Sequence, residues 1–211
     1  MIKSKPTVNF PIFSSPLFIT QLEDLSICEE IDKTLNEIKT TSGFYSHSNH
    51  HWQSDDLLQN DIRFNNIKNF FLEQMNMMFN CYHIKRDSIY INNMWGNISD
   101  GRNIHPIHIH QNSYFSGILY VNMPKGAGDI RFHCPTMTNV MIRPEFNDYN
   151  HYNSATYNLT PQTGNVVFFP SWLPHSVRES SYDFSGQRIT LAFTCMFSAN
   201  VVDRTTNIKY I

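Results

Sequence analysis

Eight short segments rich in strand-forming residues lie between Ser88 and Ser198, and they constrain the fold more than any other feature of the chain. Turn sequences such as Gly126-Ala-Gly128 and Thr163-Gly164-Asn165 separate several of them. A long loop is predicted from Thr136 to Ser154. The predicted strands cover about residues 89–97, 104–110, 114–122, 128–132, 156–159, 165–169, 173–178 and 187–198. This pattern predicts a mainly β (α+β) fold, an antiparallel sandwich or barrel.

Two amphipathic helices are predicted before the strands. Apolar residues recur at helical spacing over about residues 22–40, and again over about residues 55–81 with a break near Asn65. Ser54, followed by two aspartates, is a candidate N-terminal cap for the second helix. Residues 7–20 are predicted to be extended, as an edge strand or an arm. We expect one domain over residues 1–211, with helical support over about 20–85 and a β core over about 88–198.

The composition narrows the class of protein. Of the 211 residues, 41% are hydrophobic and 14% aromatic, which indicates a packed globular chain, and the formal charge of −2 gives no reason to expect nucleic-acid binding. The four cysteines are scattered without a Cys-x-x-Cys pair, so we expect buried, reduced thiols. No apolar run is long enough to cross a bilayer, and no signal peptide is predicted. A soluble, cytoplasmic protein is expected.

The stretch from His105 to Val121 carries the first candidate site. His108 and His110 are two residues apart in a predicted strand, so both imidazoles point to one face and can bind one metal ion. Imidazole is a ligand for zinc, iron, copper and nickel. His105 has the opposite strand parity from His108, and Pro106 intervenes, so we expect it to point away. His47, His50 and His51 are interpreted as part of a polar loop.

A second stretch, from Gly164 to His175, supplies a distal histidine. It predicts a buried strand, a turn bounded by prolines, and then His175 at the start of another strand. Alone, His175 would be interpreted as a core or turn histidine. Together with His108 and His110 on a nearby strand, it predicts a three-histidine metal site.

Arg188 begins the last predicted strand, which is otherwise apolar. If it faces inward, Thr190, Ala192 and Thr194 share its face, and a buried guanidinium then requires an anion. The planar guanidinium suits a carboxylate held by two hydrogen bonds. The alternative from this position alone is an edge arginine paired with an aspartate or glutamate.

These motifs together resemble the iron(II)- and 2-oxoglutarate-dependent oxygenases, specifically a subgroup widespread in marine bacteria and their phages. The matching pieces cover almost the whole chain, and their combination is more specific than any one of them. They are Phe10-Pro-Ile-Phe, Trp52-Gln-Ser54, Trp95-Gly-Asn97, His108-x-His110-x-Asn-Ser-x-x-Ser-Gly-x-x-Tyr120, Phe169-Pro-Ser-Trp-Leu-x-His175 and Arg188-Ile-Thr190.

The resemblance implies a double-stranded β-helix (jelly roll, cupin-like) with two N-terminal helices packed on it. It implies that His108, His110 and His175 bind iron(II) and are the catalytic centre. By the same resemblance Arg188 and Thr190 bind the distal carboxylate of 2-oxoglutarate, and Tyr120 adds a hydrogen bond. Ser116, which shares the inward face, and Asn97 of the preceding strand are expected to line the pocket. The implied reaction is oxidative decarboxylation of 2-oxoglutarate coupled to hydroxylation of a substrate C–H bond.

The sequence departs from the broad family at one ligand. His110 stands where most members have an aspartate or glutamate, so the site carries one more positive charge than the usual two-histidine-one-carboxylate set. Two other functions therefore stay open. One is a three-histidine metalloenzyme that does not use 2-oxoglutarate, either a dioxygenase or a zinc-type hydrolase. The other is a non-catalytic jelly-roll binding module.

The primary substrate cannot be read from the sequence and is either a small molecule or a protein side chain. Residues 136–154 and the segment from His47 to Trp52 are the expected specificity elements, because loops at the mouth of a barrel carry recognition. Membrane and nucleic-acid partners are not expected, and homo-oligomerisation is left open. If the chain is encoded by a phage, the cytoplasm is that of the host.

Overall fold

The computed structural model describes residues 14–41, 51–100, 104–136 and 144–199. Its two α-helices are α1 (Ser26–Thr41) and α2 (Asn65–Cys81). Its strands are β1 (Phe18–Gln21), β2 (His51–Gln53), β3 (Ser88–Ser99), β4 (His105–His108), β5 (Phe115–Asn122), β6 (Ile130–His133), β7 (Thr156–Leu159), β8 (Asn165–Pro170), β9 (His175–Val177) and β10 (Arg188–Ser198).

The strands form two antiparallel sheets, as the mainly β prediction requires. The major sheet has the order β1-β8-β5-β10-β3-β2, and the minor sheet has the order β4-β9-β6-β7. Neighbours in chain order are often not neighbours in the sheet, which is the crossing pattern of a double-stranded β-helix. The two sheets face each other without closing into a barrel.

Strand β10 shows how one strand serves two hydrophobic cores. Its residues Ile189, Leu191, Phe193 and Cys195 face the helices, where they pack with side chains such as Leu35 of α1 and Phe71 of α2. Phe71 and Phe193 stack with ring centroids 4.2 Å apart. The alternate residues of β10 face the minor sheet, where Ala192 joins Tyr120, Phe132 and Phe169 in a second buried cluster. The cavity described below opens into this inter-sheet layer.

Helix α1 confirms the predicted helical spacing and shows how the helices dock. Its buried residues Cys28, Ile31 and Leu35 form one stripe, and the side chain of Asp24 accepts a hydrogen bond from the backbone N of Ser26 at the start of the helix. Gly96 of β3 leaves the space that Leu35 fills, since a Cβ at this position would collide with the leucine side chain. This close contact fixes the helix against the major sheet.

The segment before α2 departs from the prediction. Two short 3-10 helices, Leu58–Asn60 and Ile62–Phe64, occupy the first part of the predicted helix, and α2 itself begins at Asn65, where the break was expected. Ser54 does not cap a helix: its Oγ accepts a hydrogen bond from the backbone N of Gly96 and donates one to the carbonyl of Asp55. Ser54 was misassigned because it follows a strand that pairs with β3, and pairing of that kind leaves no local signal.

The eight predicted strands correspond to β3–β10, with ends that differ by a few residues. The expected edge strand is confirmed at Phe18–Gln21, which pairs with β8, while residues 7–13 lie outside the described residues. The short strand β2 was not predicted. The expectation of buried cysteines is right for Cys28 and Cys195 and wrong for Cys81 and Cys134, which are exposed although free. Within the described residues, no helix is both long and apolar enough to span a membrane.

Candidate metal centre

Three histidines converge at one end of the inter-sheet layer. His108, His110 and His175 each offer a ring nitrogen, and the three nitrogens lie within 4.8 Å of one another. The ring centroids are 4.2 Å apart for His108 and His175, 5.3 Å for His108 and His110, and 4.9 Å for His110 and His175. The spacing suits three nitrogen ligands on one metal ion, with other positions of the ion left for further ligands.

The minor sheet brings these residues together. His108 of β4 is the direct antiparallel partner of His175 of β9, so their side chains lie next to each other on one face. His110 lies just past the end of β4, where its backbone N donates a hydrogen bond to the carbonyl of Ser171, 3.0 Å away. Its side chain still points to the same side as that of His108, as the two-residue spacing predicted.

Hydrogen bonds at Nδ1 orient two of the three rings. The Nδ1 of His108 lies 2.9 Å from the carbonyl oxygen of Pro106, and the Nδ1 of His175 lies 3.0 Å from the carbonyl oxygen of Leu173. A carbonyl oxygen can only accept, so in each ring Nδ1 carries the proton and Nε2 keeps its lone pair. Metal-binding histidines commonly donate such a hydrogen bond from the ring nitrogen that does not bind the metal. The donor set therefore fits a metal ion.

The two most buried of these rings are neutral at physiological pH. Burial, together with the neighbouring His108 and His105, lowers the pKa of His110 to about 4. Burial, with the same kind of contribution from His108, lowers the pKa of His175 to about 3. Only a deprotonated imidazole nitrogen can bind a metal, so the protein environment favours the ligand form.

Arg188 lines the same cavity as the three histidines. Its side chain is buried, and its Nε donates a hydrogen bond to the carbonyl of Gly128, 3.3 Å away. It forms no salt bridge with a carboxylate of a described residue. Burial lowers the pKa of Arg188, and the nearby Tyr120 and Asp129 offset part of this effect. The interpretation as an edge arginine paired with a carboxylate is therefore wrong for the described part of the chain.

Tyr120 lies next to Arg188 and has an unsatisfied hydroxyl. The guanidinium carbon of Arg188 lies 5.6 Å from the centroid of the Tyr120 ring. The tyrosine is fully buried, its hydroxyl has no hydrogen-bond partner among the described residues, and burial raises its pKa. An orphaned buried hydroxyl beside an arginine without a carboxylate partner is the arrangement expected where an anion binds.

The remaining predicted site residues lie in two different places. Thr190 and Asn97 are partners across β10 and β3 and both line the cavity, with the Asn97 Nδ2 donating to the Thr190 Oγ1 at 3.4 Å. Ser116 is fully buried behind His110, where its Oγ lies 2.6 Å from the Nδ1 of that histidine. Its observed contact is therefore with a histidine ring, and it does not appear in the cavity wall with Thr190 and Asn97.

Two further histidines line the cavity, and the sequence interpretation missed both. His105 does not point away: its ring lies 4.4 Å from that of His108, because the β4–β9 register shifts between the two residues and overrides simple alternation. Pro106, which removes a ladder hydrogen bond, was the available signal for this irregularity. His51 belongs to β2, is buried, and has its ring 6.4 Å from that of His105, so its assignment to a polar loop is wrong.

Comparison with known families agrees with this geometry. Residues 93–194 match the model of a family described as "Putative 2OG-Fe(II) oxygenase", where 2OG is 2-oxoglutarate. This segment, just under half of the chain, contains His108, His110, His175 and Arg188. In this segment the chain is similar to the 2OG-Fe(II) oxygenases. The description of the family names iron(II) and 2-oxoglutarate.

Solved oxygenase structures share the fold of the chain at low sequence identity. A prolyl-4-hydroxylase from Pseudomonas putida has a TM-score of 0.61 and 10% identity, with 88% of this chain and 95% of that chain covered. HygX from Streptomyces hygroscopicus, with nickel and 2-oxoglutarate bound, has a TM-score of 0.59 and 10% identity, covering 88% and 84%. The viral collagen prolyl hydroxylase of Paramecium Bursaria Chlorella virus-1 has a TM-score of 0.54 and 12% identity, covering 84% and 94%. No curated protein matches this chain by sequence.

Proposed function

We propose that this chain is an oxygenase, a hydroxylase that binds iron(II) through His108, His110 and His175 and uses 2-oxoglutarate as co-substrate. One observation carries the proposal. The three clustered histidines share a cavity with Arg188, a buried cation that forms no salt bridge with a described carboxylate. A metal site alone would fit many enzymes. A metal site with an anion-binding arginine in the same cavity favours a co-substrate that binds the metal at one end and the arginine at the other.

In this proposal the side chains of the chain bind and orient the co-substrate. Arg188 donates paired hydrogen bonds to the distal carboxylate of 2-oxoglutarate, and the hydroxyl of Tyr120 donates a further one. Thr190, which already accepts a hydrogen bond from Asn97, can donate its own hydroxyl proton to the same carboxylate. The buried hydroxyl of Tyr120 and the buried guanidinium of Arg188 would then both gain the partner that they lack.

Part of the cavity wall is apolar. Trp95, Ile118 and Ala192 line the cavity on the side of the major sheet, so apolar surface lies beside the histidines. Iron(II), when bound, supplies the redox chemistry by which oxygen and 2-oxoglutarate yield succinate and carbon dioxide while a substrate C–H bond becomes C–OH. The protein contributes ligation, orientation and a pocket with little water.

The third histidine changes the charge of the centre. Three neutral imidazoles leave a divalent metal with its full charge of two, whereas a carboxylate ligand would reduce the charge by one. A more positive centre favours binding of dianionic 2-oxoglutarate. No carboxylate is found among the described residues that line the cavity, so nothing there competes for this charge.

We propose further that residues 1–211 form one oxygenase-like domain of the subgroup found in marine bacteria and their phages, acting in the cytoplasm. The His108-x-His110 pair and the Phe169-Pro-Ser-Trp172 segment support this assignment. The primary substrate is a small molecule or a protein side chain, and neither a membrane nor a nucleic acid is a partner. Whether the chain acts alone or as a homo-oligomer does not alter the proposed site.

Binding and turnover can be measured separately to test the function. Protein purified without oxygen should contain close to one iron per chain and should bind 2-oxoglutarate only when metal is present. On admission of oxygen, succinate should form. Iron retention without 2-oxoglutarate binding would favour a three-histidine enzyme of another class. Loss of both would favour a non-catalytic jelly-roll module.

A further inference from the structure

Two kinds of hydrogen-bond partner anchor the three histidines. His108 and His175 are each held at Nδ1 by a backbone carbonyl, which fixes the tautomer that leaves Nε2 for metal. His110 is held by the hydroxyl of Ser116 at 2.6 Å. A hydroxyl can accept a proton from Nδ1 or donate one to it, so this contact alone does not decide the tautomer of His110.

A second serine lies behind the first. The Oγ of Ser116 is 2.8 Å from the Oγ of Ser171, and both side chains are fully buried. Two arrangements of protons satisfy the chain of contacts. In one, Nδ1 of His110 donates to Ser116 and Ser116 donates to Ser171, so Nε2 is bare. In the other, each proton is reversed, and Nε2 carries a proton and cannot bind metal.

We propose that Ser116 and Ser171 are positioning residues that hold His110 in the metal-binding tautomer. Ser171 acts through Ser116 by accepting its hydroxyl proton, which directs the Ser116 lone pair toward Nδ1 of His110. The proposal rests on the proposed function, in which His110 binds the metal. It also accounts for the burial of a polar serine pair that lies behind the cavity and not in its wall.

The backbone around Ser171 makes this idea testable with small substitutions. The carbonyl of Ser171 accepts from the backbone N of His110, and the backbone N of Ser171 donates to the carbonyl of Tyr114, each at 3.0 Å. Ser171→Ala keeps both bonds and removes only the hydroxyl. Ser116 would then lose its acceptor, and its proton would turn toward Nδ1 of His110. The variant should therefore favour the wrong tautomer without touching the His110 side chain.

Removal of a residue that hydrogen-bonds to a metal ligand lowers the metal affinity of the site, and this sets the expected loss of zinc affinity. Ser116→Ala and Ser171→Ala should each weaken zinc binding by about 10- to 100-fold, the usual range for loss of such a partner. Because Ser171 acts only through Ser116, the double variant should bind zinc no worse than Ser116→Ala alone. Ser116→Thr, which keeps the hydroxyl, should stay close to wild type. Ser176→Ala is the matched control, since it removes a serine contact of 2.9 Å from His133, a histidine outside the cluster.

Zinc affinity, measured by competition with a coloured chelator, and long-range proton–nitrogen NMR of the histidine rings are the two readouts. In metal-free wild-type protein, where zinc does not fix the tautomer, Nδ1 of His110 should carry the proton. In metal-free Ser171→Ala, the proton should shift toward Nε2. An unprotonated Nδ1 in the metal-free wild type, or additive losses in the double variant, would overturn the relay. The NMR result on wild type holds even if a variant fails to fold.

A ligand variant separates failure of the relay from failure of the proposed function. His110→Ala should lose zinc more severely than either serine variant. If His110→Ala loses zinc while Ser116→Ala and Ser171→Ala keep wild-type affinity, the relay is wrong and the ligand set stands. If His110→Ala itself binds zinc normally, the ligand set is wrong, and the relay proposal is then wrong as well.

Discussion

His108 and His175 are direct partners across β4 and β9, and their rings lie 4.2 Å apart. They are separated by 67 positions in the chain (175 − 108), so only strand pairing brings them together. His110 completes the cluster from just beyond the end of β4. The candidate metal centre thus lies at one edge of the minor sheet, and the contact between His108 and His175 depends on the register of the β4–β9 pair.

The first prediction concerns the ligands. His108→Ala, His110→Ala or His175→Ala should each lower the affinity for iron or zinc by more than the roughly 100-fold that loss of an outer partner costs. Metal content after anaerobic purification measures this effect. His105→Ala should keep its metal, because that ring contacts His108 without joining the cluster. If His110→Ala retained full metal, the third ligand would lie elsewhere, and His105, which lines the cavity beside His108, would be the first residue to test.

The second prediction concerns Arg188. A charge-assisted hydrogen-bonded contact in a shielded pocket contributes on the order of 1.5–3 kcal/mol. Arg188→Ala should therefore weaken 2-oxoglutarate binding by roughly ten- to a hundredfold and leave metal binding nearly intact. Arg188→Lys should recover only part of the affinity, since an ammonium group lacks the planar fork. Calorimetry with manganese in place of iron, under nitrogen, measures this. Equal 2-oxoglutarate affinity in wild type and Arg188→Ala would rule out the assignment.

The third prediction is that Tyr120→Phe stabilises the ligand-free protein but weakens its binding of 2-oxoglutarate. Its buried hydroxyl lacks a described partner, so Tyr120→Phe should raise the free energy of unfolding of the ligand-free protein by about 1 kcal/mol. The same change should weaken 2-oxoglutarate binding by roughly ten- to a hundredfold, because one hydrogen bond to the charged carboxylate is lost. Urea unfolding and calorimetry give the two values. Tyr157→Phe, at an exposed tyrosine of β7, is the control. A less stable Tyr120→Phe protein with unchanged binding would contradict the assignment.

The fourth prediction concerns acid stability without metal. The pKa of His110 is lowered to about 4 and that of His175 to about 3, against 6.5 for an unperturbed histidine. Below pH 6.5 the unfolded chain binds protons that the folded chain does not, so folding stability should fall steadily between about pH 6.5 and 3. Above pH 6.5 these two groups should contribute no slope. Urea unfolding of metal-free protein across this range measures the slope. His175→Ala should make it shallower, and an unchanged slope in that variant would show that His175 is not the source.

Local pattern predicted the strand content, both amphipathic helices and the three clustered histidines. Alternation along a strand was enough to pair His108 with His110, and the apolar run before His175 was enough to mark a buried strand. The same rule failed at His105, where the register shift between β4 and β9 turns the ring into the cavity. It also failed at Ser54, whose hydroxyl bonds across to Gly96 and does not cap a helix.

The sequence by itself determined which residues alternate on each strand, because alternation depends on neighbours within a few positions. It also determined which side chains can bind a metal ion, because that depends on the residue type. Only the tertiary structure decided that His51 and His105 line the cavity and that Ser116 lies behind His110. It also decided that Arg188 is buried without a described carboxylate. Each of these facts depends on strands that are distant in the chain and pair in one register. The pattern within one strand shows which residues share a face, but it does not show which distant strand is the partner.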